Sequence, residues 1–147
     1  MNPEIQKRTS TAATVVFDLL NPIPFGFFVG ALIFDVIYTR SADVLWVKSA
    51  AWLICIGLFV AVVPRLINLV RVWFPGARPG TARDKAAFFL YLLAVVVAIV
   101  NALVHSRDAY AAVPQGVWLS VLTVALLVAG NVLVTLQQTN DDNRVLA

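Results

Sequence analysis

The sequence predicts an all-α integral membrane protein, a four-helix bundle whose helices each cross the bilayer. Four apolar stretches, at about residues 19–38, 47–70, 86–104 and 117–136, fill most of the 147 residues, and the charge clusters lie between or beyond them. A hydrocarbon core about 30 Å thick takes roughly 20 apolar residues at about 1.5 Å each. The composition agrees: 61% of residues are hydrophobic and 13% charged, with a mean hydropathy of +0.86. Soluble domains carry about a quarter charged residues. Because lipid offers no hydrogen bonds, the backbone of each span must satisfy itself as a helix.

The N-terminal segment, residues 1–18, reads as cytoplasmic, with Thr9 to Leu20 a candidate helix lying at the interface. Asn21-Pro22-Ile23-Pro24 punctuates the start of the first span, since a residue before proline avoids helical dihedrals while proline suits a first helical turn. Counting only from Ile23 to Tyr38 gives about 24 Å of helix, short for a span, so the helix is expected to continue through Pro22 with a kink or to sit in thinned bilayer. Lys7-Arg8 before an apolar run resembles a signal peptide. Asp18, Asn21 and the prolines interrupt that run, and no convincing cleavage site follows.

The first loop, Thr39 to Leu45, is short and makes an antiparallel hairpin of the first two spans. Tyr38, Trp46, Tyr110 and Trp118 fall at one interface and Trp73 and Phe74 at the other, the pattern of aromatic belts. Pro75-Gly76 and Pro79-Gly80 break the chain, and Thr81-Ala82-Arg83-Asp84 has capping-box spacing, so the third helix is expected to start at Ala82. His105 to Pro114 forms the second outer loop, with Pro114 suited to the first turn of the fourth helix. The polar residues 137–147 read as a disordered cytoplasmic tail.

Placement of Lys and Arg sets the orientation. Lys7, Arg8, Arg71, Arg78, Arg83, Lys85 and Arg144 share one side, against Arg40, Lys48 and Arg107 on the other, which puts both termini in the cytoplasm. The net charge of +3 is thus a topology signal, and no aromatic-basic surface for nucleic acid is present. Cys55, the only cysteine, lies mid-span as a lipid-facing or packing residue and leaves no disulfide or thiolate metal site.

Two layers of polar residues interrupt the spans. Asp35 is the only acidic residue well inside one, and a charge at that depth needs a partner or water. Lys48, across the hairpin, is the expected partner, with Asn101 as a neutral alternative; the pair reads as a hairpin lock in preference to a proton or ion site. Asn21, Arg65, Asn68 and Asn131 form an inner layer, either lining a polar pocket or making interhelix hydrogen bonds with the arginine snorkelling outward. Pro64 beside Arg65 would free a backbone carbonyl as a local partner.

Gly26 and Gly30 form a GxxxG pair, and Ala94, Ala98 and Ala102 a ladder of small residues, both suited to close helix packing inside the monomer or against a partner. His105, the sole histidine, reads as solvent-exposed or capping, since one histidine cannot supply both axial ligands of a haem. Neither a Ser/His/Asp set nor a phosphate loop is recognisable, so no enzyme, cofactor or metal site is expected.

The order of features resembles a bacterial four-helix membrane family catalogued as domain of unknown function 2231. The resemblance rests on the proline-rich start of the first span, Asp35, Gly57, the run Leu66-Ile67-Asn68-Leu69-Val70-Arg71, and Pro114 followed by Leu119-Ser120, over about Pro22 to Leu136. Members carry a His-Pro pair, an aspartate and a further histidine where this chain has Asn21-Pro22, Asn68 and Phe88 or Phe89, so it implies a scaffold without the family's ionisable groups. Together these readings lead to a bacterial inner-membrane protein, a non-catalytic accessory or assembly subunit of a larger complex. Its partners would be lipid and other membrane subunits or copies of itself. The alternative is a small haem- or pigment-binding or proton- or ion-handling protein.

Overall fold

The computed structural model describes residues 15–73 and 82–146, with backbone alone at 71 and 141–146. Within them lie α1 (Pro22–Ser41), α2 (Val44–Trp73), α3 (Ala82–His105), a 3₁₀ turn (Ala109–Ala112) and α4 (Gln115–Leu146). Residues 15–20 are also helical and lead into α1 through a turn at Asn21. Four helices are long and apolar enough to cross a membrane, over Val15–Ser41, Val44–Val70, Ala82–His105 and Gln115–Asn140. Segment 1–14 and the Pro-Gly linker with Phe74 and Thr81 lie outside the described residues, and with them the capping box and the Thr9 end of the expected interfacial helix, whose residues 15–20 run into the first span.

Each helix turns one narrow seam inward, at alternating steps of three and four residues. The seams are Pro24, Phe28, Ala31, Asp35 and Tyr38 in α1; Val47, Ala50, Ile54, Gly57, Ala61 and Pro64 in α2; Ala87, Tyr91, Ala94, Ala98, Asn101 and His105 in α3; and Gly116, Ser120, Thr123, Leu127 and Gly130 in α4. A mean step of about 3.5 residues is the spacing of the left-handed, knobs-into-holes bundles common in membranes. The seams are rich in small and polar residues beside Phe28, Tyr38, Ile54, Tyr91 and Leu127, while most of the bulk points outward: Phe59 is 80% and Trp52 71% exposed. In water this arrangement would be inside out. In lipid it follows, because apolar side chains gain nothing by leaving hydrocarbon and close backbone packing becomes the stabilising term.

The α1–α2 hairpin is closed by Ala42 in the left-handed region (φ 53°), whose N–H reaches Tyr38 O at 2.9 Å, and by Asp43, whose Oδ1 accepts the Leu45 N–H at 2.9 Å. Ladder alanines Ala94 and Ala98 are buried in the core, with Ala102 packed against it, so that face serves the monomer. The GxxxG pair divides. A Cβ on Gly30 would stand 3.1 Å from Leu53 Cδ1, whereas Gly26 faces open space.

Two expectations are corrected. Helix α4 runs on to Leu146, so residues 137–146 form no disordered tail; Gln137 Nε2 donates to Asp84 Oδ2 at 3.1 Å and ties the extension to the start of α3. Tyr38, placed in the aromatic belt, is buried with Val47, Val104 and Ala112, while Trp118 and Tyr110 stay exposed. The first span continues through Pro22 as expected, since helical residues precede Asn21 and the span covers Val15–Ser41.

Candidate functional site

Asp35 is 2% exposed, and its partners come from across the bundle. His105 Nε2 lies 2.7 Å from Asp35 Oδ1, and Ser120 Oγ donates to Asp35 Oδ2 at 2.6 Å. Asn101 Nδ2 donates to Ser120 Oγ at 2.8 Å, and His105 Nδ1 lies 2.9 Å from the Asn101 carbonyl oxygen. His105, Asn101 and Ser120 are all under 5% exposed, so the group is sealed between α1, α3 and α4. Gly116 makes the room, because a Cβ there would stand 2.7 Å from His105 Cε1.

The protons can be placed by donor accounting. A carbonyl only accepts, so Nδ1 carries a hydrogen, and Oδ2 is occupied by the Ser120 hydroxyl. One further proton lies between Nε2 and Oδ1, on the imidazole or on the carboxyl. Either way the pair carries no net charge, which is what lets a carboxyl and an imidazole sit inside hydrocarbon. The order also matters. Ser120 donates to the carboxylate and not to the imidazole, so the imidazole is not placed to take a serine proton as a nucleophile's base would be. Asn101 Oδ1 is buried without a partner.

At the other end of the bundle a second chain of contacts crosses all four helices. Arg65 Nη2 donates to Asn21 Oδ1 in a short hydrogen bond, and its guanidinium lies 3.9 Å from the centre of the Tyr91 ring. Tyr91 Oη donates to Asn131 Oδ1 at 2.6 Å. Gly130 admits the ring, since a Cβ there would stand 2.9 Å from Tyr91 Cε1. Arg65 Nη1 is buried with no partner. The arginine therefore does not snorkel free; it bridges α1 and α3.

Sequence reading located both layers and misassigned partners within them. Lys48 is exposed and not with Asp35, and the expected Asp35–Lys48 lock is replaced by Asp35–His105. His105 is buried, not solvent-exposed. Asn101 joins the outer group; Asn21, Arg65 and Asn131 join the inner one; Asn68 is half-buried outside it. Ser120, named only among the features of the resemblance, and Gly116 and Tyr91 were not placed in either layer. Their signal was spacing, as Asn101–His105 and Gly116–Ser120 are each four apart and so lie one above the other on one helix face.

Among the described residues no group of three or more His, Cys, Asp or Glu is placed to hold a metal ion. No family model, curated protein or solved structure matches the chain.

Proposed function

We propose that the protein is a multi-pass component of a bacterial cytoplasmic membrane, with both termini in the cytoplasm, that acts as a non-catalytic accessory or assembly subunit of a larger membrane complex. The observation that carries this reading is the sealing of the Asp35 group: the strongest polar side chains of the outer layer are spent on one another as ties between helices. Work done by such a protein falls to its outer faces. Gly26 supports this, as a notch on the lipid side of α1 that the fold leaves unfilled. The excess of Lys and Arg on the terminal side supports the orientation. The family resemblance fits as well, with Asn21 acting as a neutral tie where members carry an ionisable group.

Extraction in a mild detergent followed by native mass measurement tests the proposal. A larger assembly that survives purification and is lost in Gly26→Ile supports it. A clean monomer or homodimer from native membranes overturns it. The haem alternative is weakened by chemistry, because both ring nitrogens of His105 are engaged and leave no lone pair for a metal.

A further inference from the structure

We infer that Arg65 and the groove beside it form a binding site for one anionic phospholipid, with the phosphate on the guanidinium and an acyl chain in the groove. A groove of about 270 Å³ runs along the seam of α2 and α3, walled by Leu58, Val62, Leu66, Leu69, Phe88 and Leu92. Arg65 is the one polar side chain in its lining. From Leu58 to Leu69 the groove extends about 16 Å along the helix axis, the length of a good part of an acyl chain. Val62, Leu66 and Leu92 are exposed at its mouth, so a chain enters sideways from the bilayer.

Charge points to the same ligand. A guanidinium is a permanent cation with five N–H donors. Here its neighbours are neutral, an Asn21 oxygen and the face of Tyr91, and among the described residues no carboxylate pairs with it. Nη1 is buried without an acceptor, so the site has an unspent donor and an uncompensated charge. Both point to an anionic oxygen ligand, and guanidinium matches phosphate in geometry as well as charge.

Depth decides in favour of a lipid over a free anion. The span Val44–Val70 has its middle at Gly57, which puts Arg65 about 12 Å toward the terminal side, close to the edge of a hydrocarbon core about 15 Å thick on each side. A phosphate meeting Arg65 thus stays near headgroup level, while the groove continues toward Leu58 at mid-bilayer, where a chain belongs. A free phosphate would have to shed its water against walls that are otherwise apolar.

The test uses the full-length chain in detergent, titrated with phosphatidylglycerol or with phosphatidylcholine of the same chains and read by native mass measurement. One phosphatidylglycerol per chain should be retained in preference to phosphatidylcholine. Arg65→Gln should weaken it by about ten- to a hundredfold, the range expected for a lost charge-assisted hydrogen bond, while Arg40→Gln at the opposite end leaves it unchanged. Leu66→Trp, which fills the mouth and spares the arginine's contacts, should also lose the lipid at an unchanged melting temperature, and it decides the matter alone if Arg65→Gln does not fold. Equal retention of both lipids, or affinity unchanged in Leu66→Trp, overturns the proposal. Displacement of the lipid by an equal concentration of inorganic phosphate overturns the lipid assignment in favour of a free-anion site.

Discussion

Replacing Gly116 by alanine is expected to loosen the bundle at the Asp35 group. The new Cβ would stand 2.7 Å from His105 Cε1 and 3.3 Å from Nε2. Carbon contacts are comfortable from about 3.5 Å, so the ring must retreat by roughly 0.8 Å. It has little freedom to do so, being held at 2.9 Å by the Asn101 carbonyl and at 2.7 Å by Asp35. Stretching either contact by that much carries it past about 3.2 Å, the outer edge of good N–H···O geometry. Overpacking costs about 1–3 kcal/mol and full loss of a buried pair's partner about 3–5, while alanine regains about 1 through helix propensity. With the contacts stretched and not broken, about half of the pair's loss applies, and the sum is a net loss of about 2–4 kcal/mol. Unfolding in mixed micelles against the fraction of dodecyl sulfate, followed by far-ultraviolet circular dichroism, measures it. Gly26→Ala is the internal control: with nothing within 4 Å of the added carbon it meets no overpacking and should show only the helix-propensity gain of up to about 1 kcal/mol. If Gly116→Ala unfolds no earlier than the parent, the imidazole is not clamped.

Ser120→Ala removes one donor to Asp35 and the acceptor of Asn101 Nδ2, and should cost about 1–3 kcal/mol in the same assay; no change would place the hydroxyl outside the group. Cys55, exposed near the middle of α2, should resist a water-soluble maleimide in intact vesicles and react after unfolding. Rapid labelling in vesicles would mean that α2 is not in hydrocarbon.

The spans were legible because hydrocarbon imposes a length and forbids charge. The need of Asp35 for a partner was legible too. Its identity was not, because closeness along the chain was used where helical phase decides. Lys48 follows the buried Val47 by one residue, about 100° round the helix, and so leaves the seam that the aspartate faces. His105 looked terminal, yet it continues the seam Ala87, Tyr91, Ala94, Ala98, Asn101 at steps of three and four. Overall apolarity hides such seams, since the inward and outward faces of these helices differ in size more than in hydropathy. The helical run to Leu146 was missed because polar composition suggested disorder, whereas the Gln137–Asp84 contact is tertiary.

Asp35 and His105 act as one neutral unit tying α1 to α3. A double-mutant cycle of Asp35→Leu and His105→Leu, read as unfolding free energy in mixed micelles, tests it most directly. Each single variant strands a buried polar partner and should cost about 3–5 kcal/mol, while the double variant should recover part of that loss, giving a coupling of at least about 1 kcal/mol. Strictly additive losses would mean that the two side chains are not coupled.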